Sequence, residues 1–170
     1  MKAKGVLVFL FAIAVAAASA AQTKTSGQLQ CGKPDEVHKI DVGDWPTHSM
    51  SVSKTTCTWI KPMEIGGAQT KDGVSVATAE RSAEKSREHG SHTGTMSSGD
   101  KIYVRYQGDA TLKGDTPETI TGTYTFAGGT GKMKGLKGKG TYKAAGPPNA
   151  DGAITFDIEG EYELAAPAAQ

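Results

Sequence analysis

A chain of 170 residues with 19 Lys+Arg against 18 Asp+Glu is close to neutral, so it lacks the basic excess with which proteins neutralise nucleic-acid phosphates. Its two cysteines, with no further cysteine and no histidine paired at ligand spacing, offer no metal-thiolate centre. Neither a nucleic-acid partner nor a metal or other cofactor is expected.

The chain opens on MKAKGVLVFLFAIAVAAASA, in which Lys2 and Lys4 precede an apolar run from Val6 to Ala18 and then the small residues Ser19 and Ala20. That order is the one of a secretory signal peptide, and the run is too short and too alanine-rich at its end for a spanning helix. Cleavage after Ala20 or Ala21 leaves about 150 residues, enough for one domain that buries roughly two-thirds of its unfolded surface. Without Lys2 and Lys4 the balance falls to 17 against 18, a net charge of −1. The expected destination is outside a bacterial cytoplasm, secreted or periplasmic, with no stable membrane anchor after cleavage. Gln28, Leu29 and Gln30 do not form a lipobox before Cys31. The expected organisation is a signal peptide over 1–20, a flexible lead-in over 21–30, one β-domain over 31–165 and a tail over 166–170. In an exported protein an even cysteine count favours a Cys31–Cys57 disulfide. Such a bridge would stabilise the fold by about 3 kcal/mol on the chain-entropy estimate and pin the N-terminal segment to the strand ending at Trp59.

Beyond the lead-in no long segment carries apolar residues at helical spacing, and short alternating runs broken by Gly, Pro, Asp and Asn take its place. VHKIDV and HSMSVSKTTCTW read as weak strands. In GVSVATAERSAEKSREHGSHTGTM the middle, Ala79 to His89, holds good helix formers but almost no apolar stripe. A helix there would have little to bury, so the stretch reads as two strands with a turn near Ser82 to Ser86. KIYVRYQGDATL sets Ile102, Val104, Tyr106, Ala110 and Leu112 on one face and Lys101, Arg105, Gln107 and Asp109 on the other. ETITGTYTFAGG repeats the logic with Ile120, Tyr124 and Phe126 against a row of threonines. AITFDIEGEYEL does so with Ile154, Phe156, Ile158, Tyr162 and Leu164 against Asp157, Glu159, Glu161 and Glu163. The pattern is all-β, and 22 glycines, many inside these runs, imply a strongly bent sheet.

GGTGKMKGLKGKGTY, from Gly128 to Tyr142, has the look of a phosphate loop but fails as one. Gly131-Lys132 is followed by Met133 where a P-loop needs Ser or Thr, and the G-x-G-x-x-G pattern begun at Gly129 ends on Lys134 with no helix after it. As a strand, the run keeps every lysine in water only if a β-bulge at Gly135–Leu136 switches parity between Lys132/Lys134 and Lys137/Lys139. Met133, Leu136, Gly138, Gly140 and Tyr142 then point inward. An antiparallel return would bring Lys137 and Lys139 near Asp157 and Glu159, pairs contributing roughly 0.2–1 kcal/mol each. Gly138 and Gly140 would leave room for Phe156 or Ile158.

FAGGTGKMKGLKGKGTY is similar to the G-T-G-x-[FY]-x-G-x-x-G strand-turn-strand signature of the allene oxide cyclase and dirigent-protein barrels. The wider stretch from about Asp41 to Leu164 looks like small secreted bacterial proteins that share it. The resemblance implies a single antiparallel β-barrel of about eight strands, a size whose interior holds side chains or one small ligand. It also implies two kinds of chemistry. Cyclases of that family shape an unstable epoxide with an acidic side chain in a greasy cavity, and dirigent proteins hold phenoxy radicals in orientation.

Among polar residues, Val74 and Val76 facing the lumen would carry Glu80 inward, and Met96 facing it would carry His92 and Glu88. Folding about Glu84 would set Glu80 opposite Glu88, where two close carboxylates raise one proton affinity. The alternative is a frayed hairpin end solvated by Arg81, Lys85 and Arg87. His89 and His92, three apart, fall on opposite faces of a strand, which argues against a shared metal. His38 and His48 have no local partner, and without G-x-S-x-G no serine hydrolase is expected. Tyr106, Tyr124, Phe126 and Tyr142 are expected on inner faces as core or as the walls of a ligand pocket. Three functions follow: a barrel binding a small apolar or aromatic molecule, an isomerase or cyclase using Glu80, Glu88 or His92 on a proton, and a packed barrel acting through its surface. Whether the lumen is open or filled separates the first two from the third.

Overall fold

The computed structural model describes residues 22–164; the expected signal peptide and the 166–170 tail lie outside them. Ten strands follow in order: β1 (Thr23–Cys31), β2 (Glu36–Asp41), β3 (Ser49–Lys61), β4 (Glu64–Ile65), β5 (Ala68–Ser82), β6 (Lys85–Met96), β7 (Lys101–Lys113), β8 (Thr116–Gly129), β9 (Lys137–Ala144) and β10 (Ile154–Glu163). Every pairing is antiparallel. The β3–β5 pairing closes β1, β3, β5, β6, β7, β8, β9 and β10 into an eight-stranded barrel. β2 lies outside the ring along the first half of β3, and β4 caps the start of β5.

The alternation read in β7, β8 and β10 holds, with Ile102, Leu112, Tyr124, Phe126 and Ile158 buried. The ambiguous middle is a hairpin, β5–β6, turning at Ala83 and Glu84. Cys31 and Cys57 are directly paired on β1 and β3 and are joined as a disulfide.

Three expectations are corrected. The 21–30 segment is not a flexible lead-in, because Thr23–Cys31 pairs with β10 along its whole length, from Thr23↔Tyr162 to Cys31↔Ile154. Its backbone groups close the barrel where β10 would otherwise expose an open edge. Only Gly27 and Leu29 are buried among these residues, too short an alternation to register as a strand by pattern.

Gly131–Leu136 is not a bulged strand. Gly131–Met133 forms a 3-10 turn and β9 begins only at Lys137. Met133 and Leu136 do point inward and are fully buried. The Lys132 N–H donates to the Asp100 carboxylate at 3.3 Å.

The β9–β10 register is displaced from the expected one. Lys143 faces Asp157, Lys139 faces Glu161 and Lys137 faces Glu163. Pro147 and Pro148 cannot donate to a ladder, so pairing stops at Ala144. The Asn149 side chain then accepts from the Asp151 and Ala153 N–H groups, moving the turn further along the chain.

The chain directions put the β3–β5 and β8–β9 connections at one end of the barrel. Their side chains Met63, Ile65, Met133 and Leu136, with Met96 and Ile102, are the large apolar residues buried most completely among those described. That end is plugged.

Candidate functional site

Above the plug the barrel encloses a cavity of about 350 Å³. It reaches the turns of the opposite end, where Pro34, Leu112, Pro117 and Gly152 border it. The lumen is therefore open. Two unlike walls make it. On the β3–β5 side, beyond Trp59 near the plug, the inward residues are small, Ser53, Thr55, Ser75 and Ala77; on the other they are aromatic, Tyr106, Tyr124, Phe126, Tyr142 and Phe156.

Large rings would fill a barrel of this size if they stood upright. They lie along the wall because glycines face them on neighbouring strands. Tyr106 on β7 is paired with Gly90 on β6, and a Cβ on Gly90 would overlap the tyrosine ring. The row Glu88↔Gly108↔Gly122↔Tyr142 crosses four strands, and the Tyr142 ring spans both glycines to reach the carboxylate. Tyr124 lies over Gly140 and Gly160 in the same way. Gly140 thus seats Tyr124, not the Phe156 or Ile158 expected from sequence. The rings meet edge to face, Tyr142 being 6.0 Å from Tyr106 and 5.8 Å from Phe156 between centroids, the geometry aromatic quadrupoles favour.

All four aromatics expected as walls border the cavity, and so do Glu88 and His92. Glu80 does not. The two-residue turn pairs Glu80 with Arg87 and Ala79 with Glu88, so Glu80 and Glu88 lie on opposite faces of the sheet. Glu80 is outside, where it accepts from His48 Nε2 at 3.1 Å. Val76 is exposed, and the inward row of β5 is Ser75 and Ala77. Ser75 and Trp59 border the cavity without having been singled out from sequence, and Phe156, expected on an inner face, is a further wall of it. The signal that could have found Ser75 is the need for small partners opposite large rings.

Glu88 is half-buried and accepts a hydrogen bond from the Tyr142 hydroxyl at 3.3 Å. Burial holds its carboxyl above the ordinary 4.5, against the opposing pull of that hydrogen bond and of His89. Burial lowers His92 to about 4, so its imidazole is neutral; Nδ1 sits 2.9 Å from Ser75 Oγ. Burial also raises Tyr106 and Tyr124 to about 12. The chemistry available is one inward carboxyl, two phenol hydroxyls beside it, a neutral imidazole and the small hydroxyls of Ser53, Thr55 and Ser75, in a chamber whose remaining lining is mostly apolar.

A testable consequence follows from Glu88. The folded protein holds this proton more tightly than the unfolded chain, so its contribution is fully present below 4.5 and is lost as pH rises through the elevated value. Glu88→Gln cannot ionise and is expected to remove that loss. Its urea midpoint should match the wild type in acid and exceed it near neutral pH. A lower midpoint near neutral pH would mean that the carboxylate is well satisfied where it stands.

No protein-family model and no curated protein matches the sequence. Among solved structures, the chain is similar to a pterocarpan synthase dirigent protein, with a TM-score of 0.50 at 10% identity over 94% of this chain and 100% of that one. A conserved protein of unknown function from Rhodopseudomonas palustris aligns with a TM-score of 0.48 at 8% identity, over 84% of this chain and 99% of that one. A pyocyanin demethylase aligns with a TM-score of 0.40 at 18% identity, over 78% and 98%. The chain has the dirigent-like fold, an all-β, closed, eight-stranded antiparallel barrel.

Proposed function

We propose that this protein works outside the cytoplasm and binds a small apolar or aromatic molecule in its lumen. The observation that carries the reading is the open chamber of about 350 Å³ whose rings are laid back against glycines. A barrel acting only through its surface has no need of such seats, and filling the space with side chains would stabilise it. Concave, mostly apolar chambers with a few polar groups are the usual form of small-molecule sites. The disulfide supports an oxidising compartment.

Mass spectrometry of protein purified from its native host is the test. A bound aromatic or apolar compound is the expected result, and recovering none would count against a carrier.

A second reading is an isomerase or cyclase in the same chamber, with Glu88 handling the proton. It is supported by a carboxyl that burial keeps prone to protonation and that a tyrosine hydroxyl positions. His92 is the weaker candidate for that role, being neutral and tied to Ser75. Incubation with the recovered compound separates the readings: a carrier returns it unchanged, an enzyme converts it and loses that ability in Glu88→Gln.

A further inference from the structure

Resting on the reading of the lumen as a binding chamber, we infer that its occupant is an organic cation, a flat aromatic body whose positively charged nitrogen sits among Tyr106, Tyr142 and Glu88. Charge is the first ground. Among the described residues the chamber has one inward carboxyl, Glu88, and is bordered by no lysine or arginine, while Asp109, at its border, is exposed on the outer face. Its imidazole, His92, carries no charge. Arg87 lies on the outer face, donating from Nε to Asp109 Oδ1 at 2.9 Å, and His89 is likewise exposed. Arg81 is held by Asp115 at 2.6 Å.

The second ground is the aromatic lining. Tyr106 and Tyr142 stand perpendicular, and Phe156 stands perpendicular to Tyr142, so a nitrogen among them meets ring faces from more than one side. Aromatic faces around a cation, with an acid beside them, form the usual cage for quaternary and protonated nitrogen. An anion would face the Glu88 carboxylate with no compensating charge. A neutral ligand would leave Glu88 ionised in a drier chamber or require its protonation. Only a cation supplies the counter-charge that the barrel itself lacks.

The sign of the pH dependence distinguishes these cases. Facing Glu88 are Tyr142 from β9, Tyr106 from β7 and Ala79 from β5, while His89 and Arg87 flank it on its own strand but point outward, as does Asp109, the partner of Arg87. Both tyrosines stay neutral at ordinary pH. Affinity for a cation should therefore rise with pH as Glu88 ionises, and affinity for a neutral acceptor should fall.

Calorimetric titration with three bicyclic probes of one shape tests this: N-methylquinolinium, naphthol and naphthoate. Near neutral pH the cation is expected to bind roughly tenfold or more tightly than naphthol, with naphthoate weakest. Glu88→Gln should abolish that preference and spare naphthol. In the unaltered protein, cation affinity should weaken on acidification. Naphthol binding as tightly as the cation, or a cation affinity indifferent to pH, overturns this inference and leaves the carrier reading standing. Binding of none of the three overturns the carrier reading as well.

Discussion

Gly90→Ala is expected to destabilise the barrel by about 1–3 kcal/mol, the usual penalty for overfilling a packed site, and to stabilise it when Tyr106 is also replaced by alanine. The sign change is the point. Gly90 is not among the residues with positive φ, so its backbone accepts any side chain. In a strand interior, glycine to alanine should then help by about 0.5–1 kcal/mol through the entropy of the unfolded chain. The three atoms nearest an added Cβ all belong to the Tyr106 side chain, so that ring is what the methyl meets first. It must swing off the wall, and the space it can enter is the lumen. Ligand affinity should fall with it, by tenfold or more for a ligand the size of the cavity. Urea unfolding of the two single variants and the double variant measures the coupling directly. A Gly90→Ala variant as stable as the wild type would show that the ring does not depend on its seat, and the account of why the chamber is open would fall.

The same seats explain what could and could not be read from the residues. β7, β8 and β10 were legible because each has one face against an apolar interior and one in water, so Ile102, Tyr124 and Ile158 repeat at a period of two. On β3 and β5 that rule points the wrong way. Met50, Val52 and Val76 are exposed, while Ser53, Thr55, Ser75 and Ala77 border the chamber. An inward position there is chosen for smallness, because a chamber faced by tyrosines on the other side has little width left. Hydrophobicity alone therefore places the valines inside and carries Glu80 in with them, whereas the turn at Ala83 and Glu84 sets it beside His48 on the outer surface. Glu88 and His92 were placed correctly because Met96 anchors their strand's parity at the plug. The glycines were read as bends. Their larger use, as space for a ring from the adjacent strand, depends on register, and register between β9 and β10 was itself shifted by the Pro147–Asn149 turn.

Replacing both Cys31 and Cys57 with serine is expected to lower stability by about 3 kcal/mol, from the loop of unfolded chain that the bridge no longer closes. The position of the bridge makes a second, local effect predictable. Cys31 is the last residue of β1 paired with β10, at Cys31↔Ile154, and is also paired with Cys57 on β3. Past that point the chain leaves β10, and β2 is held by β3 alone. Cys31 also borders the chamber beside Gly32 and Pro34, so the bridge fixes the place where the wall gives way to the mouth. Hydrogen exchange in the double variant should rise most in β2 and the Gly32–Asp35 connection. It should rise least at the plug, whose Met133 and Leu136 are fully buried and held by packing. Ligand release should quicken, since the loosened segment flanks the exit. Uniform exchange across both ends, with unchanged release, would mean that the disulfide acts only on the unfolded chain and has no hand in shaping the mouth.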